Sequence, residues 1–327
     1  MNKIKLITLQ SAKELGKKVE KHLKEKSIKL EESRFSNGEG KVTIKGNIKG
    51  EDIYLLADIG NYGLTYKLHE YLNHYSPDEH YEDIKRTISA LSGASEKVTV
   101  IMPLLYESRQ HKRKAKESSD CAIALQELIH LGVDKIITFD CHDPNISNAI
   151  PNTPFENIYP TDTILKELKK EKLKDILVIS PDLGASTRAR YFAEKLQTNV
   201  GVFYKRRDLT KVINGKNPII EHTYLGPSVK DKDIIVVDDM IASGSSMLEV
   251  GELLKKQGAR KIIFIATFSL FTEGIEKFEE NYKNHTFDKL YTTNLSFIEN
   301  KYQKDWLEIV DCSKDIALAI KNSHNAK

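Results

Sequence analysis

Only three cysteines, Cys121, Cys141 and Cys312, occur in 327 residues, and none belongs to a CxxC pair. That is far too few for a disulfide framework, and it fits a reducing cytoplasm. The first residues, MNKIKLITLQ, lack the long apolar core and small-residue cleavage site of a signal peptide. No stretch approaches the roughly 20 apolar residues that a membrane-spanning helix needs. Net charge is also scarce: 50 basic residues against 47 acidic leave +3. Nucleic acid and membrane surfaces favour a concentrated basic face, so neither is an expected partner. The P-loop pattern GxxxxGK[ST] is absent, so a nucleotide would have to be held another way. What remains is a soluble cytoplasmic protein in which any phosphate chemistry uses local positive charge.

What the chain does have is a series of short Ile- and Val-rich runs. EDIYLLADIG, EKVTVIMPLL, DKIITFDCHD, KDILVISPDLG, VGVFYKRR, DIIVVDDM and KIIFIATFS recur along it. None alternates strictly between apolar and polar residues, as expected for strands covered on both faces. Helical spacing fills the gaps between many of them, as in residues 121–132 and 245–258, each ending on a glycine suited to a C-cap, Gly132 and Gly258. Strand alternating with helix predicts an α/β fold with mostly parallel, doubly wound sheets. The echo between ELIHLGVDKIITF and ELLKKQGARKIIFI predicts a duplicated domain. PNTPFENIYPTD, with three prolines, is the predicted boundary. This places the limits at 1–155, 156–305 and a tail, 306–327, whose apolar spacing suggests a strand and helix docked on the first domain.

Open parallel sheets bind ligands beyond the carboxyl ends of their strands. The segments just past the aliphatic runs are YESRQHKRK, DCHD, PDLGAS, KRRD and DDMIASGSS. Each has a plain reading beside a functional one. Asp140, His142 and Asp143 form a hydrogen-bonded turn capping the next element, or His142 is a ligand for a phosphate-bound metal ion. Asp182 is a helix cap or a magnesium contact. Lys205, Arg206 and Arg207 are a solvated turn or the counter-charge of a polyphosphate. Arg109 and Gln110 lie in a basic loop that solvation alone would explain. DDMIASGSS is more specific. Adjacent carboxylates repel and resist desolvation, so Asp238 and Asp239 are tolerated where something cationic or rich in hydroxyls sits against them. The small residues after them leave backbone N–H groups open to an anion.

VVDDMIASGSS resembles the signature of the type I phosphoribosyltransferase fold. In that family the acids take ribose hydroxyls and the loop wraps the 5-phosphate. SRFSNGEGKVTI, MPLLYESRQHKR, ITFDCHD, VISPDLGASTRAR and FYKRRD stand in the order and spacing of the ribose-phosphate pyrophosphokinases. The likeness runs from about residue 31 to about residue 268. It implies two tandem phosphoribosyltransferase-like domains and transfer of diphosphate from ATP to the C1 hydroxyl of ribose 5-phosphate, with Mg²⁺ as cofactor in a homo-oligomer, dimer or hexamer.

Carried over by position, the resemblance gives Phe35, Asn37, Glu39, Arg109 and Gln110 to ATP and His142, Lys205 and Arg207 to catalysis. His142 and Asp182 match metal-binding positions. Asp238, Asp239, Ser243, Gly244, Ser245 and Ser246 match the ribose-5-phosphate site, and Lys205 opens an expected mobile loop over 205–216. Phe35 and Glu39 match residues that in the family meet the adenine from a neighbouring subunit. The chain departs from the pattern in several places. Asn37 replaces the usual aspartate, His111 the acid after Arg-Gln, Ala185 a common glycine, and Ala242 and Ser245 the aspartate and glycine of the signature. The segment after IYLLADIG lacks the family's Gln-Ser-Thr and Asn-Asp patterns. A non-catalytic homologue that modulates an active copy, and a salvage phosphoribosyltransferase, are the competing readings.

Overall fold

A computed structural model describes residues 3–91, 93–207 and 219–326, with only the backbone for 205–207 and 219–222. The chain divides into two compact units. One comprises residues 1–160, 294–299 and 311–327; the other comprises 161–293 and 300–310.

The first unit contains β1 (Ile4–Thr8), β2 (Lys29–Arg34), β3 (Gly40–Lys45), β4 (Asp52–Leu56), β5 (Thr65–Leu68), β6 (Tyr71–His74), β7 (Lys97–Ile101), β8 (Lys135–Phe139) and β9 (Phe155–Ile158). Its helices are α1 (Lys13–Leu23), α2 (Pro77–Leu91) and α3 (Asp120–His130). Five strands form one sheet in the order β1-β4-β7-β8-β9, every pairing parallel. Its middle is buried on both faces: all of β4 is buried, as are Val100, Ile101, Ile136, Ile137 and Phe139. Burial of each such side chain contributes about 1.5–3 kcal/mol, which is why these runs read as unbroken aliphatic stretches. The pairs β2-β3 and β5-β6 are antiparallel hairpins outside this sheet.

The second unit contains α4 (Thr161–Leu168), β10 (Ile176–Ser180), α5 (Ser186–Leu196), β11 (Val200–Arg207), β12 (Ile219–Leu225) and β13 (Asp233–Ile241). It continues with α6 (Ser245–Lys256), β14 (Lys261–Ser269), α7 (Glu276–Lys283), β15 (Lys289–Thr293) and β16 (Leu307–Val310). The sheet order is β12-β11-β10-β13-β14-β15-β16, parallel except for the antiparallel β11-β12 pair. Strand order reverses between β10 and β13, the topological switch of a doubly wound sheet. In the first sheet the strands follow chain order and no reversal occurs. Local patterning fixes how many strand–helix units exist, but not the order in which their faces pack.

The echoed segments behave alike. Gly132 and Gly258 both have positive φ, and Val133 and Ala259 donate back to Leu128 and Leu254 at 3.1 Å. Each closes its helix and turns the chain into β8 or β14.

The tail is not one piece, contrary to expectation. Leu307–Val310 pairs with β15 in the second unit, whereas the last helix, α8 (Ser313–Asn325), packs against α1 in the first. Leu307 and Val310 bury this strand among its sheet neighbours, and the helix face of Ile316, Ala317 and Ile320 buries against a helix. Two surfaces of different period therefore found different partners. Residues 294–299 are also riveted to the first unit. Asp58, just past β4, accepts hydrogen bonds from Gly60 N (2.9 Å), Ser296 Oγ (2.9 Å) and Phe297 N (2.7 Å).

Candidate active site

In the first unit, β7 and β8 are neighbours whose carboxyl ends carry Arg109, Gln110 and His142. The turn after β8 is held under backbone strain. Asp140 is buried with φ of 39°, a region that aspartate tolerates better than most residues. Residues in β9 fix it: Asp140 N donates to Ile158 O and Cys141 N donates to Asn157 Oδ1, each 2.9 Å. Asp143 Oδ1 accepts from Asn145 N at 3.0 Å, so the hydrogen-bonded-turn reading holds for Asp143. His142 is left exposed at the tip.

Arg109 is exposed in the loop after β7. Gln110 is occupied within that loop, its Nε2 donating to Ser118 O at 2.8 Å, so its side chain closes residues 110–118 on themselves. His111 turns inward. Its Nδ1 lies 3.2 Å from Ser108 O and its Nε2 3.1 Å from Asp143 Oδ2; its ring centroid is 5.5 Å from that of His142. The Asp143 contact is close but poorly directed as a hydrogen bond.

Phe35, Asn37 and Glu39 sit elsewhere in this unit, at the tip of the β2-β3 hairpin. Phe35 N donates to Glu39 O at 2.8 Å, Glu39 N donates to Asn37 Oδ1 at 3.2 Å, and Phe35 is 52% exposed. The hairpin is anchored next to its tip, where Arg34 pairs with Gly40. Arg34 donates to Tyr75 Oη at 3.0 Å and to buried Asp83 at 2.9 Å, and its guanidinium lies 4.6 Å from the centre of the Tyr75 ring. Tyr66 lies in β5 and Tyr75 just past β6.

In the second unit the switch between β10 and β13 brings together the loop carrying Asp182 and the DDMIASGSS segment. β13 runs on to Ile241, so both aspartates lie within the strand rather than just beyond it. Asp239 is 3% exposed and Asp238 is partly covered. Loss of water, then the neighbouring Asp239 charge, pushes the Asp238 carboxyl well above the usual carboxylate range, and Arg188 partly offsets this. Arg188 Nη1 lies 4.0 Å from Asp238 Oδ1 and 3.9 Å from Asp239 Oδ1. Asp182 is exposed and its Oδ1 accepts from Ala185 N at 3.0 Å, at the foot of α5. It thus braces the loop just before α5, whose N-cap is Ala185, and keeps a carboxylate facing solvent.

Gly244 caps α6 with φ of 78°, and a Cβ there would meet Phe278 Cζ at 2.1 Å. Only glycine fits. The turn sets Ser245 and Ser246 in the first turn of α6, where backbone N–H groups and the helix dipole favour an anion. Ser243 Oγ lies 3.2 Å from Ser245 Oγ.

Lys205 and Arg207 belong to β11 rather than to a loop. Their backbones pair with His222 and Ile219 of β12, so the strand passes the point where the sequence suggested it ends. Most of the expected 205–216 loop lies outside the described residues. Sequence reasoning misses Arg188, although a signal exists. It falls on the buried face of α5 with Ala189 and Phe192, and an arginine on an apolar stripe marks a buried charge partner.

Residues 4–132 match the family profile described as the N-terminal domain of ribose phosphate pyrophosphokinase, and residues 157–299 match the phosphoribosyl transferase domain. The chain belongs to the ribose-phosphate pyrophosphokinase family. A ribose-phosphate pyrophosphokinase of Vibrio cholerae is 29% identical over 267 residues, spanning 80% of this chain and 77% of that protein. One from Haemophilus ducreyi is 26% identical over 332 residues, 99% and 97% of the two chains. The crystal structure of phosphoribosylpyrophosphate synthetase from Mycobacterium smegmatis superposes with a TM-score of 0.83 at 21% identity over all of both chains, which establishes the shared fold. Fold and family therefore agree on two phosphoribosyltransferase-like domains in α/β sheets.

Proposed function

We propose that the chain is a ribose-phosphate diphosphokinase. The C1 hydroxyl of ribose 5-phosphate loses its proton and attacks the β-phosphorus of ATP. The bond from that phosphorus to the α-phosphate oxygen breaks, and AMP leaves with diphosphate carried over intact. The observation that supports this best is the match of residues 4–132 to the kinase-specific N-terminal domain. A salvage phosphoribosyltransferase has no use for that domain.

The residue roles are part of the proposal. Asp238 and Asp239 take the ribose hydroxyls, while Ser243, Gly244, Ser245 and Ser246 at the start of α6 take the 5-phosphate. Arg109, in the loop that Gln110 closes, binds ATP phosphates; Phe35, Asn37 and Glu39 meet the base. His142, Lys205 and Arg207 act on the transferring group, whose transition state needs alignment and charge neutralisation more than a nucleophile.

Among the described residues no three His, Cys, Asp or Glu side chains gather closely enough to cage a metal. Mg²⁺ is usually held by one or two carboxylates together with substrate phosphates and water. His142 in the first unit and Asp182 in the second, each exposed, are each proposed as a ligand for it. When bound, the ion neutralises charge on the phosphate oxygens.

A homo-oligomer, dimer or hexamer, rests on the family resemblance, which sets Phe35, exposed at its hairpin tip, against a neighbouring subunit's adenine. Three buried cysteines, none of them in a disulfide, support a cytoplasmic setting; no helix among the described residues is long and apolar enough to cross a membrane. The test is direct. Purified protein with ATP, ribose 5-phosphate and Mg²⁺ is expected to release AMP and phosphoribosyl pyrophosphate in equal amounts, and His142→Ala to abolish both. No AMP from the unsubstituted protein would overturn the proposal.

A further inference from the structure

We infer that His111 is a positioning residue for His142, acting through Asp143 to fix the turn that presents it. This rests on the proposed role of His142 at the ATP phosphates.

The loops after β7 and β8 leave neighbouring parallel strands, so residues 111 and 142 lie side by side at one sheet edge. Lys112, Arg113 and Lys114 are exposed to solvent, whereas the side chain of His111 is only 10% exposed. An imidazole turned inward from a basic loop loses hydration and needs polar partners. Its Nδ1 has the Ser108 carbonyl at 3.2 Å, and its Nε2 packs against the Asp143 carboxylate at 3.1 Å without the direction of a hydrogen bond. The Asp143 carboxylate is shared, one oxygen accepting from Asn145 N and the other facing His111. The His111 ring then meets that of His142 at 5.5 Å and 55°, within the range of a packed aromatic pair.

The turn in question is strained at Asp140, and strained backbone persists only where its surroundings over-determine it. Contacts to Asn157 and Ile158 hold its near side. The His111–Asp143 contact tethers the far side to another loop. The residue type also matters. The acid that the resembling family usually carries after Arg-Gln would, at 111, set a second carboxylate on the same side as that of Asp143 and the Ser108 carbonyl, and like charges in a part-buried site repel. In this chain position 111 is matched to Asp143, so a substitution toward the family's usual residue is expected to harm it.

The experiment measures kcat and the KM for each substrate, with melting temperature, for His111→Asp, His111→Gln, Asp143→Asn and the His111→Asp/Asp143→Asn double variant. His111→Asp should lower kcat on the order of 30-fold, since ~2 kcal/mol is typical of coupled neighbours and each ~1.4 kcal/mol is a factor of ten. KM for ribose 5-phosphate, whose proposed residues lie in the other unit, should stay within about twofold. Removing the repelling charge in the double variant should recover about tenfold of the lost kcat by the same conversion. His111→Gln, which keeps an uncharged polar group of similar reach beside Asp143, should retain most activity and covers the case in which His111→Asp fails to fold. Wild-type turnover in His111→Asp, or strictly additive losses in the double variant, would overturn the inference. If the unsubstituted protein releases no AMP, the functional reading itself fails. If it does release AMP and His142→Ala is inactive, an unaffected His111→Asp defeats this inference alone.

Discussion

The Arg188 guanidinium lies 3.9 Å from the carboxylate of Asp239, with both side chains more than nine-tenths buried. It is the cation that lets two adjacent aspartates persist in the last residues of a central strand. Removing one partner of a buried ion pair leaves the other charge uncompensated, at a cost of about 3–5 kcal/mol. Arg188→Met is therefore expected to destabilise the second unit by about 3 kcal/mol, the low end because the separations are long. Arg188→Lys should lose less, keeping the charge without the planar fork. Urea unfolding followed by far-UV circular dichroism measures both. A Met variant within error of the unsubstituted protein would rule out this role.

Gly244 combines a left-handed backbone with a Phe278 ring where a Cβ would stand. Gly244→Ala must shift either the cap or the ring, and a residue forced into such backbone typically costs about 1–3 kcal/mol. Because the same cap starts α6, the KM for ribose 5-phosphate should rise while the KM for ATP changes little. Thermal melting and steady-state kinetics on the one variant separate the two effects.

The buried Asp58 carboxyl, stripped of water, is pushed up to about 7 from an ordinary 3.8, its three donors offsetting only part of the burial. A group that binds its proton more tightly when folded stabilises the fold at low pH. That contribution is lost as pH rises between 3.8 and about 7. Glu32, also pushed up to about 7 chiefly by burial, acts in the same direction. Melting temperature is thus expected to fall across this window, each proton contributing at most about 1.4 kcal/mol per pH unit. Asp58→Asn should flatten the slope in part, and adding Glu32→Gln should flatten it further. An unchanged slope in the double variant would exclude both carboxyls as its source.

Lys205 is proposed to act on charge that develops only as diphosphate moves. Its removal should then lower kcat on the order of 100-fold with little change in either KM, the pattern of an interaction made only in the transition state. Steady-state kinetics of Lys205→Ala decides it. A loss confined to a raised KM would assign Lys205 to substrate binding instead.

Much of the site is legible in residues 233–246, because paired aspartates in an aliphatic run and a glycine-serine turn each carry a local physical demand. The strand cores and the C-caps at Gly132 and Gly258 are legible for the same reason. The strand order of the first sheet is not, nor the fate of the tail, since both depend on which faces pack rather than on any periodicity. Two strands outrun their aliphatic cores, at Tyr204 and Val237. In both cases the backbone ladder continues under polar side chains, so polarity alone does not mark the end of pairing. Arg188 and the Asp143 partner of His111 show the same limit at the site: their types are visible in the sequence, their meeting is not.

The rivet at Asp58 has a consequence for how the protein is made. The first unit needs residues 294–299 and α8 to complete it, yet 161–293 of the second unit are made before either. Its opening 160 residues must therefore wait through synthesis of most of the second unit before they can close. A fragment stopping near residue 293 would carry an unfinished surface.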